Sequence, residues 1–348
     1  MGHRVPPGLD RQVTPIAEYR EVDAARFADD ISRRYEPAVM RGLVRDWPAV
    51  QRALAAPDGI CDYLEELDNG TPVAGLRMPP SARGRIFYND NLDGFNYTSD
   101  RMTITSVLER MRKYAKLEKP ASIAILSALV SECLPGFLAA NANPVLDPSV
   151  APRIWIGSHV ITPAHFDESN NIACVAAGRR RFTLFPPQAI ADLYIGPIGY
   201  APTGTPISLV DFERPDEKRF PRFKDALAVA RVAELEPGDA IFIPALWWHH
   251  VESLAKYNTL VNYWWKGWVG SAGRNDSALD SLLLAILNLR HLPPELRKHW
   301  SVIFEHYVFD AGEATAGHIP AHKRGVLGEI SPELAKQVRG FLIGKLQG

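Results

Sequence analysis

Thr162-Pro-Ala-His165-Phe-Asp167 sets an imidazole and a carboxylate two residues apart. In an extended segment both side chains point to one face, so the pair can hold a single ion. A second segment, Pro244-Ala-Leu-Trp-Trp-His249-His250-Val251, follows the turn Glu236-Pro-Gly-Asp239 and offers a third ligand. Neighbouring strand residues face opposite sides, so only one of His249 and His250 can join the pair, and alternation favours neither. Two histidines and one carboxylate leave three adjacent metal positions open, the arrangement that binds a bidentate 2-oxo acid and O2 at non-haem Fe(II). A closed zinc shell would need a fourth ligand from His159 or His250. An HxD pair with a distant His also arises by chance, so spacing alone leaves the metal open.

Around these segments, from Arg153 to about Gly267, short β-rich pieces recur between Gly, Pro and Asp turns. They are Ile154–Ile156, Asn171–Ala176, Arg181–Phe185, Ala240–Ile243 and Thr259–Trp264, a pattern that predicts an all-β core, sandwich or barrel. The stretch 196–224 carries five prolines and interrupts that core as a long ordered loop of the kind that often lines a site. Upstream, residues 15–150 read as a mixed α/β scaffold. A helix is expected over Asp23–Arg34, with Ala24, Phe27 and Ile31 at helical spacing, a strand over Pro37–Val44, and a helix over Met102–Leu117 capped by Thr103 or Thr105. Phe87–Tyr97 is turn-rich and aromatic, suited to folding over something, though an ordinary surface loop has the same composition. Residues 271–348 read as helical. Leu279, Leu282, Leu283, Ile286 and Leu289 form one apolar stripe, and Trp300, Ile303, Phe304 and Tyr307 another, which must be buried on the core or against a second subunit.

The 348 residues carry 46% hydrophobic side chains, enough for a core without covalent staples. With 39 Lys+Arg against 40 Asp+Glu, the formal charge of −1 gives no field to attract nucleic acid or an anionic membrane. Cys61, Cys133 and Cys174 are far apart and lack a CxxC pair, so neither disulfides nor a thiolate zinc site is expected, and a reducing cytoplasm fits. The first twelve residues lack the apolar run of a signal peptide, and no apolar stretch is long enough to span a bilayer.

Five linked segments carry a resemblance: Thr162–Glu168, Phe185-Pro-Pro187, Glu236–Asp239, Ile243–Leu254 and Val261-Asn-Tyr-Trp-Trp-Lys-Gly267. In order and spacing they resemble the cupin-fold JmjC-type 2-oxoglutarate oxygenases, and Val39–Pro48 joins them less closely. The resemblance implies a double-stranded β-helix (jelly roll) at 150–270, within a domain over 15–270 that includes the N-terminal scaffold. It implies Fe(II) on His165, Asp167 and His249, because in this family the metal-binding His directly follows the Trp. It further implies a 2-oxoglutarate pocket lined by Thr162, Asn171 and Asn262 with Trp264 close to the metal, O2 as oxidant, and homodimerisation through the C-terminal helices.

Two departures from the family pattern bear on the co-substrate. Arg180 stands where an asparaginyl hydroxylase of this family has the Lys that pairs with the distal carboxylate, and a guanidinium can do so with a bidentate fork. The neighbouring Arg179 and Arg181 read as solvated turn residues. The family's Tyr on the same carboxylate would fall near Ala124, and no hydroxyl stands at that position. A hydroxylase of a protein side chain or small molecule is the leading expectation. A non-catalytic cupin-type binding or regulatory protein, and an iron oxygenase that does not use 2-oxoglutarate, are the alternatives.

Overall fold

A computed structural model describes residues 14–266 and 277–347. The expectation for the first twelve residues and the domain boundary at 270/271 lie outside them. Fourteen strands are found among the described residues: β1 Thr14–Pro15, β2 Ala17–Arg20, β3 Ala38–Arg41, β4 Val73–Met78, β5 Thr98–Met102, β6 Ser122–Leu129 and β7 Pro152–Gly157, then β8 Ile161–His165, β9 Asn170–Ala177, β10 Arg180–Phe185, β11 Arg231–Leu235, β12 Ala240–Ile243, β13 Trp248–Ser253 and β14 Asn258–Trp265.

They form a five-stranded sheet, β1-β11-β10-β13-β8, and a nine-stranded sheet, β2-β3-β12-β9-β14-β7-β6-β4-β5. From β8 to β14 the chain passes repeatedly between the two sheets, which is the winding of the expected jelly roll. Alternation decides what lies between them. Phe182 and Leu184 of β10, Val251 of β13, Val175 of β9, Ile241 of β12 and Leu260 of β14 share one apolar cluster, each fully buried side chain contributing roughly 1.5–3 kcal/mol. The large sheet's other face carries Cys174, Phe242 and Val261, packed with apolar residues of the helices Pro48–Ala55, Gly59–Leu67 and Ile104–Tyr114. The small sheet's other face carries Phe185 and Trp248.

Several local expectations are corrected. The strand expected over Pro37–Val44 stops at Arg41, because Gly42 adopts φ +70°, a left-handed conformation that suits a residue without a Cβ. Asp239 holds this turn: its Oδ1 accepts from the Gly42 N–H at 2.9 Å, and its Oδ2 from Arg41 at 2.6 Å. Asp23–Arg34 is helical but changes pitch, passing from an α-turn through a π-turn at Phe27–Ile31 to a tight turn at Ser32–Arg34. The helix expected over Met102–Leu117 spans Ile104–Tyr114. Thr103 caps it by accepting from Ser106, while Thr105 instead bonds Asp68.

The stretch 196–224 is ordered, but it packs outside the small sheet through Phe212, Phe220 and Phe223. Tyr200, within that stretch, stacks on Phe95, so the aromatic loop 87–97 folds over this segment. All three cysteines are buried free thiols.

Residues 1–274 and 275–348 are two separate compact units. In the second, Ala278–Leu289 and Pro294–Phe304 are the two expected helices, and the short Glu313–Ala316 and the longer Pro332–Leu346 follow them. No described helix is long and apolar enough to cross a membrane.

Candidate metal centre

His165 ends β8, Asp167 follows it, and His249 lies directly opposite His165 on β13. One ligand atom from each of the three falls within 4.8 Å of the others, the only such group among the described residues. The Asp167 Oδ2 is 3.6 Å from the His249 Nε2, and the two imidazole centroids are 4.2 Å apart.

Both rings are oriented by the backbone. The Nδ1 of His165 meets the Pro163 carbonyl at 2.9 Å, and that of His249 the Trp247 carbonyl at 3.0 Å. A carbonyl only accepts, so each Nδ1 carries a proton, which leaves Nε2 as the atom that can ligate. Burial, followed by the neighbouring His249 ring, pushes the His165 imidazole below its ordinary range, which favours the neutral form that ligates.

Strand parity assigns the adjacent histidines. His249 and Val251 face between the sheets, whereas His250 turns outward and stacks on Phe212 with centroids 4.2 Å apart. His250 is therefore no competitor for the metal. The register between β8 and β13 slips by one residue: His249 opposes His165, but Val251 opposes Thr162. This bulge turns Thr162 inward beside His165 despite their odd spacing.

Thr162, Asn171, Arg180, Asn262 and Trp264 all line one cavity with His165, Asp167 and His249. Trp155, Phe182, Ile243, Val251 and Leu260 complete much of its wall. Trp155 was not singled out from the sequence, although its place between Ile154 and Ile156 gave it the parity. No residue of 196–224 lines this cavity, so the expectation that the stretch borders the site is not met here.

Arg180 enters from the start of β10, just after Gly178, whose φ of +75° makes the turn. A Cβ at Gly178 would lie 2.3 Å from the Asn258 Oδ1, so this turn requires glycine. The Arg180 side chain is buried without a hydrogen bond or ion pair to any described residue, and its Nε has no partner. Burial alone pushes its guanidinium down to about 10, still cationic at neutral pH.

The reading of Arg181 as solvated is corrected. It is buried and bonds Glu234 at 2.7 Å, with Glu252 at 3.6 Å, on the outer face of the small sheet. Arg179 stays exposed. Ala124 lies outside the cavity, among Met78, Ile86 and Val160, and the cavity's aliphatic hydroxyl comes from Thr162.

The donor set fits a divalent iron: two imidazoles and one carboxylate on one side, with an unpartnered cation in the same cavity for an anionic ligand.

Residues 24–269 match the profile of the cupin-like domain. The HSPB1-associated protein 1 of Homo sapiens is 34% identical over 146 residues, 41% of this chain and 29% of that protein. The lysine-specific demethylase JMJ31 of Arabidopsis thaliana is 24% identical over 277 residues, 70% of this chain and 48% of its own. The JmjC domain-containing protein D of Dictyostelium discoideum is 32% identical over 245 residues, 66% of this chain and 52% of its own. The chain thus spans about half or less of the length of these relatives.

Proposed function

Because the chain belongs to the cupin-like domain family, and to its JmjC type, we propose that it is an Fe(II)- and 2-oxoglutarate-dependent oxygenase, a hydroxylase of a protein side chain or small molecule. The observation that carries this reading is Arg180. A buried guanidinium without a counter-charge is costly, and its place beside the triad supports an anionic ligand that reaches both.

A 2-oxo acid has that form. A metal held by His165, Asp167 and His249 would take its 2-oxo acid end, and Arg180 would donate to its distal carboxylate. Asn171, Asn262 and Thr162 offer the polar contacts between the two ends, while Phe182, Ile243, Val251 and Leu260 keep the cavity dry. Iron, when bound, supplies the O2-dependent oxidation of a substrate C–H bond. His165, Asp167 and His249 hold it on one side and leave the other for ligands. Hydroxylation of an N-methyl carbon gives a hemiaminal, which breaks its C–N bond to leave formaldehyde and the N–H, so the demethylase name of the Arabidopsis relative is compatible with the same oxidation.

The test is succinate release from labelled 2-oxoglutarate by purified protein with Fe(II), wild type against a His165→Ala/His249→Ala double variant. Release by the wild type alone is expected. Neither release nor 2-oxoglutarate binding would sink the reading and leave a binding protein or a different iron oxygenase.

Homodimerisation through the helices after residue 277 belongs to the same proposal. Leu287, Val302, Phe309 and Phe341 are each more than half exposed in a single chain, an apolar surface that a second copy would cover. The three buried thiols are compatible with a reducing cytoplasm.

A further inference from the structure

One carboxylate oxygen at the metal centre collects two hydrogen bonds. The Trp264 Nε1–H donates to the Asp167 Oδ2 at 2.9 Å, and the Asn171 Nδ2 donates to the same oxygen at 3.3 Å. Behind Asn171 the bonds continue: Asn262 donates to the Asn171 Oδ1 at 3.3 Å, and Trp155 donates to the Asn262 Oδ1 at 2.7 Å. An indole N–H can only donate and an ionised carboxylate can only accept. Those two ends fix the sense of both amides between them, so every bond in the chain points toward Asp167. The two indoles meet edge to face, with centroids 6.1 Å apart at 85°, so the relay and the direct bond share one rigid wall.

We propose that Trp264, together with the Trp155–Asn262–Asn171 relay, positions the Asp167 carboxylate and thereby sets the affinity of the metal centre. The inference rests on the metal half of the proposed function and not on its co-substrate. Without these donors Asp167, which is not fully buried, is free to rotate its carboxylate toward water or to chelate through both oxygens. The relay holds it in one orientation, against the side of the site formed by His249. Nothing in this role needs the indoles to touch a reacting atom, so they are positioning residues and not catalytic ones.

Co(II) is the probe, titrated into the purified full chain and read by its visible absorption. Trp264→Phe, which keeps an aromatic ring and loses the N–H, is expected to raise the Co(II) dissociation constant about tenfold or more. The ligand-field bands should move, while the melting temperature of the metal-free protein stays that of the wild type. Trp155→Phe should act in the same direction more weakly, and Trp264→His, which restores a donor, should recover part of the affinity. Trp47→Phe is the control, because its indole bonds the Ala142 carbonyl in a separate cluster.

Wild-type affinity and spectrum in Trp264→Phe overturn the inference, as does an equal loss in Trp47→Phe. Wild-type protein that binds Co(II) but neither releases succinate nor binds 2-oxoglutarate leaves this inference standing and removes the oxygenase reading. Succinate release with unaltered Trp264→Phe affinity does the reverse. A wild type that binds no Co(II) overturns both.

Discussion

His249 and His250 are consecutive on β13 yet serve opposite faces of its sheet: the first ring lies 4.2 Å from that of His165, the second 4.2 Å from that of Phe212. His249→Ala is therefore expected to abolish Co(II) binding. His250→Phe should leave it intact. Both His250 nitrogens are buried without a partner, so the apolar ring should also stabilise the fold, by about 1–3 kcal/mol. Thermal melts and metal titration of the two variants check this, and loss of metal binding in His250→Phe would contradict the assignment of faces.

Arg180→Met removes a buried cation that no described residue compensates. The protein should be no less stable, because an unpaired charge disappears. If Arg180 binds the distal carboxylate of 2-oxoglutarate, its affinity should fall by about 30-fold or more, corresponding to ~2 kcal/mol for truncating a buried charge pair. Calorimetric titration of 2-oxoglutarate into Co(II)-loaded protein measures it. Wild-type affinity in Arg180→Met would remove Arg180 from the pocket.

Glu252 has a raised pKa, chiefly from burial, with Arg181 opposing the shift and Glu213 and Glu234 adding to it. A carboxyl with a folded pKa above its unfolded value binds its proton more tightly in the native state. Stability is therefore lost as pH rises from the ordinary carboxylate value through the raised one. Glu252→Gln does not ionise, so its stability advantage should grow across that window and be smallest in acid. Denaturant midpoints against pH for the two proteins decide it, and a gap that shrinks with rising pH would reverse the sign.

The proposed homodimer predicts a solution mass twice the 38.6 kDa of the chain. Leu287→Glu with Phe309→Glu, which charges two strongly exposed apolar positions of the C-terminal unit, should yield monomers without loss of helical signal. Analytical ultracentrifugation at micromolar concentration measures both, and a monomeric wild type would remove the proposal.

Much of the site could be read locally because strand parity is a local property. His165 and Asp167 fall two apart, as do Arg180 and Phe182, and Asn262 and Trp264, and in each case alternation alone puts the pair on one face. Parity does not say which face is inside. For His249 and His250 that choice came from the preceding Trp and from resemblance, and physically it is made by Trp248, which packs outward among Phe185 and Phe212.

What the sequence determined by itself was the β-rich core, the placing of His165 and Asp167 on one face, and the chemistry that two imidazoles and a carboxylate allow. Only the tertiary structure decided the rest. The bulge between β8 and β13 swung Thr162 inward, Glu234 and Glu252 on neighbouring strands drew Arg181 into a buried pairing, and Trp155 and Trp264 converged on Asp167 from β7 and β14. The reason is common to all three: periodicity reports the environment of one segment, whereas these contacts depend on register between strands far apart in the chain, which packing fixes only when the sheets close.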